Sequence, residues 1–287
     1  MAKKIIRTII IFLILLLIAI WVEIAKSPTD ENLHLYIFDV GQGDAVMIAK
    51  GDYQILIDGG PDDSVLSKIG EVLPISDRRI EKVILTHPHA DHLVGLNLIL
   101  ERYEVGEIYV SGVVHTSSQY LEFLSKIKEK NIKTTVPEVN QKEIPFDNGS
   151  LTFLWPGKKY QEQTAENLNN SSIVSKFCYY SRCAIIMGDI ELDGQSEMYS
   201  GNKNADFQAS VLKVAHHGSN NGTNQTLLDK VKPQYAVISV GADNKYGHPH
   251  AAVLELLEKS NIKIFRTDRD GTVEFIFEQN NLIVKTP

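Results

Sequence analysis

RIEKVILTHPHADHLVGLNLILERY, residues 79–103, changes character twice along its length. Its first part, RIEKVILT, reads as a buried strand, and LVGLNLILERY reads as a helix. Between them THPHADH supplies His87, His89, Asp91 and His92. Three imidazoles and a carboxylate where a strand gives way to a helix offer the nitrogen and oxygen donors that divalent metals take. One residue separates His87 from His89, so both can reach one ion, while Asp91 and His92 can face a second. Two ions ~3.5–4 Å apart can clamp a scissile group, share a hydroxide and stabilise a leaving oxygen. Capping the helix would need only Asp91, so capping does not account for the set.

Four residues cannot complete two coordination shells, so further ligands are expected from distant strands. Asp189 ends the apolar run AIIMGD, where it could bridge two ions. His216 and His217 follow the strand VLKVA, and the residues alone leave open which of the two is a ligand. His248 and His250 lie in YGHPH after the strand AVISV, His250 also being placed to open the helix AAVLELLEKS. Seven of the nine histidines thus fall in three clusters at strand ends.

The same strand, loop and helix order recurs as EIYVSG with QYLEFLSKIKEK, VLKVAHHGS with NQTLLDKV, and AVISVG with HAAVLELLEKS. The segments LHLYIFDV, AVMIAK and YQILIDGG before them, and IKIFRTD and GTVEFIFEQ at the end, read as strands, with a helix from Ser64 to Leu73. This mixture predicts an α/β chain of sheet layers covered by helices, in one domain over 32–287. Pro156 to Ser172 is expected to be a long loop and GNKNADFQ a second.

Residues 1–27 differ from the rest. Lys3, Lys4 and Arg7 precede an apolar run from Ile9 to Val22, which reads as an export signal that leaves the remainder outside the cytoplasm. EIAKS offers no small-x-small cleavage site, so an uncleaved, single-pass membrane anchor is expected; secretion after cleavage is the alternative. SPTDEN then serves as a short linker. Cys178 and Cys183 lie in a hairpin between SIVSKF and AIIMGD, which admits a disulfide or two apolar thiols but no tetrahedral metal site. A formal charge of −7 over 287 residues argues against a general nucleic-acid surface, although Lys213 and Lys245 could offset it locally.

Taken in order, these residues resemble the metallo-β-lactamase superfamily. FDVGQGDA (38–45), LIDGG (56–60), KVAHHGS and ISVG with YGHPH more narrowly resemble the hydrolase-like domain of ComEC-type DNA-uptake proteins. The resemblance implies a four-layer αββα sandwich with a metal site at one edge of the paired sheets. It assigns His87 and His89 to a first ion, Asp91, His92 and His217 to a second, and Asp189 to the bridge. His216 would then face substrate, and Asp39, Asp44 and Asp58 would orient loops and ligands. Many members carry another histidine before the bridging aspartate, but here the stretch reads NLNNSSIVSK, so Asn169 or Asn170 takes that place. An amide oxygen is a poorer zinc ligand than imidazole, which leaves zinc and manganese both open, with one or two ions bound.

The reaction this implies is hydrolysis by a metal-bound hydroxide that Asp91 orients, with His248 holding a phosphate or protonating a leaving group. A phosphodiester in DNA or in a wall polymer is the expected substrate. A lactam, lactone or thioester hydrolase and a non-catalytic binding module are the alternatives.

Overall fold

In the computed structural model, residues 2–25 and 32–287 are described, and the chain divides into one unit over 1–31 and another over 32–287. The first contains α1 (Ala2–Ala25). Its window Lys3–Trp21 has a mean hydropathy of 2.5, long and apolar enough to cross a membrane. The linker expected over Ser27–Asn32 lies outside the described residues as far as Glu31.

The second unit opens with β1 (Leu33–Ile37), β2 (Val46–Lys50), β3 (Tyr53–Ile57), α2 (Ser64–Val72), β4 (Arg79–Ile84), α3 (Ala90–Arg102), β5 (Glu104–Tyr109), α4 (Ser118–Glu129) and β6 (Lys133–Thr135). Then come β7 (Lys142–Glu143), β8 (Gly149–Trp155), β9 (Val174–Tyr179), β10 (Arg182–Ile186), α5 (Leu192–Gly201), β11 (Val211–Lys213) and α6 (Gln225–Val231). β12 (Tyr235–Ile238), α7 (Ala251–Lys259), β13 (Lys263–Arg266), α8 (Thr267–Asp270), β14 (Val273–Phe277) and β15 (Leu282–Lys285) complete it.

The strands form two sheets, in the orders β15-β14-β1-β2-β3-β4-β5-β6 and β13-β12-β11-β10-β9-β8-β7. Alternation along each strand sorts the core into layers. Ile55 and Ile57 of β3 join Phe177 of β9, Val211 of β11 and Phe275 of β14 between the sheets. Leu56 instead packs outward with Leu93, Leu96 and Ile99 of α3 and Phe123 of α4. On the opposite face Ile185 and Leu212 pack with Met198 of α5, Leu227 of α6 and Val253 of α7. The second unit is therefore a two-sheet sandwich with helices on both outer faces.

Several boundaries differ from the sequence reading. α3 begins at Ala90 rather than Leu93, because extended His89 is its N-cap, and this puts Asp91 and His92 in the first helical turn. β10 ends at Ile186 and β11 at Lys213, so Asp189, His216 and His217 lie on turns beyond the strands. The short edge strands β6 and β7, together with β8, α5 and β15, were not anticipated. Cys178 and Cys183 form a disulfide across the β9–β10 hairpin.

At one margin a half-buried ion cluster joins the two sheets. Lys82 of β4 reaches Glu107 of β5 at 3.2 Å and Glu143 of β7 at 2.6 Å. Burial alone would raise the Glu107 carboxyl, but bonds from Lys133, Thr135 and Lys82 outweigh it and hold it at about 2. A depressed carboxyl contributes stability that is complete above its unfolded value near 4.5 and is lost as pH falls toward 2. Acid unfolding followed by circular dichroism should therefore show a stability loss within that window. Lys133→Met combined with Lys82→Met should shrink it; an unchanged acid profile in that double variant would refute the assignment.

Candidate metal centre

The candidate site forms where the ends of β3, β4, β10 and β11 meet. Asp58, just after β3, anchors it from below with a left-handed backbone (φ 59°), which Asp tolerates better than most residues. Its carboxylate accepts from the Thr86 amide at 2.8 Å and the Thr86 hydroxyl at 2.7 Å, and lies 2.8 Å from His92 Nδ1. That bond turns His92 Nε2 toward the cleft. His217 is oriented in the same manner, its Nδ1 donating to the Ser239 carbonyl at 2.9 Å. The turn carrying it is strained: His216 (φ 49°, ψ 48°) and His217 (φ 52°, ψ 27°) are both left-handed. Two such residues in succession cost about 1–3 kcal/mol each, a strain that clusters at functional sites.

Four side chains converge above these supports. His92 Nε2 lies 3.3 Å from Asp189 Oδ2, and His217 Nε2 lies 3.3 Å from Asp91 Oδ2 and 3.4 Å from Asp189 Oδ2. All four ligand atoms fall within 4.8 Å of one another. His92 Nε2, His217 Nε2 and Asp189 Oδ1 are buried yet have no hydrogen-bond partner. Two ring nitrogens without hydrogen-bond partners, meeting the Oδ2 atoms of Asp91 and Asp189, form a donor set that a divalent cation satisfies, so the residues fit a metal. Burial would lower His217, but Asp189 and Asp44 raise it to about 10, so the acidic groups draw to this point a positive charge that a cation would otherwise supply. Burial would raise the Asp189 and Asp91 carboxyls, but His217 and His92 hold both well below the usual range.

His87 and His89 lie beside this group. His87 Nε2 is 4.0 Å from Asp189 Oδ2 and 2.9 Å from His89 Nδ1, so Asp189 is within reach of both histidine sets. Thr86 Oγ1 and Ser172 Oγ, at 3.1 and 3.2 Å, hold His87 Nδ1 from behind. Burial, with His92 nearby, keeps His87 well below its ordinary value and therefore neutral.

The structure separates the asparagines that the sequence left equivalent. Asn169 lines the cleft, with a buried Oδ1 that has no partner and an amide donating to Glu191 at 2.9 Å. Asn170 is engaged elsewhere, its Oδ1 accepting from the Glu191 amide at 3.0 Å. The neighbouring histidines also part company. His217 joins the four-residue group, whereas His216 lies in the cleft 3.5 Å from Glu191 and with its ring 5.6 Å from that of His248. Burial and the His217, His216 and His250 rings push His248 down to about 4. His250 is the N-cap of α7.

Lys213 requires a correction. As an expected surface cation near the site it is instead buried, 1% exposed, and bonded to Asp44. The available signal was a lone lysine in the apolar strand VLKVA, since a buried lysine needs a partner. Thr86, Ser172 and Ser239 were missed because their roles depend on contacts that no local pattern announces.

The cleft over these residues has a volume of about 340 Å³, with Gln42, Tyr246 and His248 on its rim. It adjoins, at His89, a larger groove of about 620 Å³ along His115, Thr116, Glu166 and Asn167.

Residues 38–242 match the family model for the metallo-beta-lactamase superfamily. The chain belongs to that superfamily. Within it, homologues include ComEC-type competence proteins. The chain is 27% identical over 260 residues to ComE operon protein 3 of Bacillus subtilis, covering 84% of this chain and 33% of that protein. It is 27% identical over 265 residues to competence protein ComA of Neisseria gonorrhoeae, covering 91% of this chain and 35% of that protein. It thus spans about a third of the length of these relatives. In fold it is similar to YhfI of Bacillus subtilis, a metallo-beta-lactamase fold protein, with a TM-score of 0.55, 14% identity, and coverage of 85% of this chain and 99% of that one. A metal-dependent hydrolase fold carrying a His/Asp cluster fit for a metal is the statement these findings share.

Proposed function

We propose that this chain is a membrane-tethered phosphodiesterase that uses one or two divalent cations, zinc or manganese. The carrying observation is the convergence of Asp91, His92, Asp189 and His217 at the base of an open cleft. His87, His89 and the Asn169 amide oxygen are the proposed donors for a first ion. A bound divalent cation supplies Lewis acidity, polarising the scissile group and lowering the pKa of a water toward ~7.

The protein's own groups do the rest. Asp91, the most exposed carboxylate of the set at 32%, is placed to orient a water in the cleft. His216 and His248 face the same space and would hold the substrate's phosphoryl oxygens. Tyr246 lies against His248 with ring centroids 5.7 Å apart and is 67% exposed, which offers a flat surface at the rim. The competence-type names among the relatives favour DNA over a wall polymer, and Tyr246 suits a base. Lys213 no longer contributes to that case, and Lys245 remains as an exposed cation on the rim loop. α1, with Lys3, Lys4 and Arg7 ahead of its apolar run, would anchor the chain and leave the hydrolase unit outside the cytoplasm.

The test uses the full chain in membranes. Metal analysis should find bound zinc or manganese, and bis(p-nitrophenyl) phosphate should be hydrolysed in a chelator-sensitive reaction that Asp91→Ala abolishes. The activity should sediment with membranes and be sensitive to protease added outside the cell. Absence of metal and of turnover, unaffected by Asp91→Ala, would leave a binding module. Comparison of single-stranded DNA with teichoic acid over a range of salt then names the polymer.

A further inference from the structure

The buried lysine at the end of β11 has no evident purpose in a stable core. A buried ion pair loses several kcal/mol per ion in desolvation, and well-packed apolar residues often do better. Its position follows from strand alternation: Val211 faces the space between the sheets, Leu212 faces the outer helices, and Lys213 faces inward again. There its ammonium donates to Asp44, in the loop between β1 and β2, 169 residues away in sequence. The contact joins an end of one sheet to an end of the other.

Asp44 is itself held at the back of the candidate metal centre. Its amide donates to the Asp91 carbonyl at 3.2 Å, and its carbonyl accepts from the Gly60 amide at 2.8 Å. One carboxylate oxygen lies 3.4 Å from His217 Nδ1 and the other 3.9 Å from His92 Nδ1. These are the ring atoms facing away from the cleft, so Asp44 stands behind two imidazoles contributed by different sheets. Asp44, Asp58 and His92 also form a second cluster with ligand atoms within 4.8 Å, and the Lys213 ammonium rests against it at Asp44.

We propose that Lys213 is a positioning residue: its ammonium fixes the Asp44 carboxylate behind His92 and His217, where it supports electrostatically the Asp58 and Ser239 bonds that turn both Nε2 atoms toward Asp91 and Asp189. It supplies within the protein the positive charge that the rear carboxylates require, and it leaves the cleft-side donors for an external cation. The inference concerns ring orientation and rests on the proposed metal reading only in its second readout.

The experiment uses the full chain in detergent, labelled with 15N-histidine and freed of metal by chelation. Lys213→Met alone would strand a buried carboxylate and could prevent folding, so it is compared with Lys213→Met/Asp44→Asn, which removes both charges together. In the wild type a slowly exchanging His217 Nδ1 proton is expected, protected by Ser239. In the folded double variant that signal should broaden or vanish, and affinity for manganese or zinc alone should fall ~10–100-fold, the usual effect of losing a partner behind a ligand. Circular dichroism and the thermal midpoint should stay those of a folded protein. A folded double variant with an unchanged His217 proton overturns the inference. Loss of that proton in a chain whose wild type binds no metal would support it while removing the metal reading.

Discussion

Asp189→Ala is expected to remove the proposed metal-dependent hydrolysis while leaving the sandwich folded. The Asp189 carboxylate lies 3.3 Å from His92, 3.4 Å from His217 and 4.0 Å from His87, so neither histidine set keeps its shared carboxylate without it. Loss of an outer partner of a ligand costs ~10–100-fold in metal affinity, and loss of a proposed ligand within reach of both histidine sets should exceed that. The fold should survive because the link from this turn to Ser172 uses the Asp189 amide, at 3.1 Å, rather than its carboxylate. Elemental analysis of the purified variant, with turnover of bis(p-nitrophenyl) phosphate, measures the effect. Wild-type metal content in Asp189→Ala would show that the cation binds elsewhere.

Gly95→Val should be the most damaging single change outside the proposed ligands. Gly95 sits in α3 against the turn after β3, where its amide donates to the Gly60 carbonyl at 3.1 Å. A Cβ at position 95 would lie 1.9 Å from the Gly59 carbonyl oxygen, a backbone atom that cannot swing aside. α3 must then lift away, taking Asp91 and His92 with it and breaking the bond between His92 and Asp58. Overpacking usually costs ~1–3 kcal/mol, and a clash against main chain belongs at or above the upper end. Urea unfolding should show that loss, and any folded fraction should bind metal poorly. Gly70→Ala in α2 is the control, since a Cβ there meets nothing within 4 Å and should stabilise by ~0.5–1 kcal/mol. Equal effects at the two glycines would contradict the close approach.

His87, His89, Asp91 and His92 were legible in the sequence because all four lie within one strand-to-helix junction, where spacing alone brings donors together. The sheet-and-helix layering was legible for a related reason: alternation in segments such as YQILI and helical spacing in LVGLNLILERY are properties of consecutive residues. Resemblance extended the reading to Asp189 and His217, whose family positions are marked by short flanking motifs. Short edge strands escaped it. β6 and β7 span 3 and 2 residues and bury little, so they carry no hydrophobic period.

The sequence by itself determined that this chain has an α/β unit with a His/Asp cluster at strand ends, preceded by an apolar helix. Tertiary structure decided which of two adjacent residues faces the cleft: Asn169 and not Asn170, His217 in the four-donor group and His216 beside it. In both pairs a turn, and not a strand, sets the direction of the side chain, so alternation cannot be extrapolated through it. Tertiary structure also moved Lys213 from the surface to the interior, because its partner Asp44 is reached only when the ends of the two sheets are brought together.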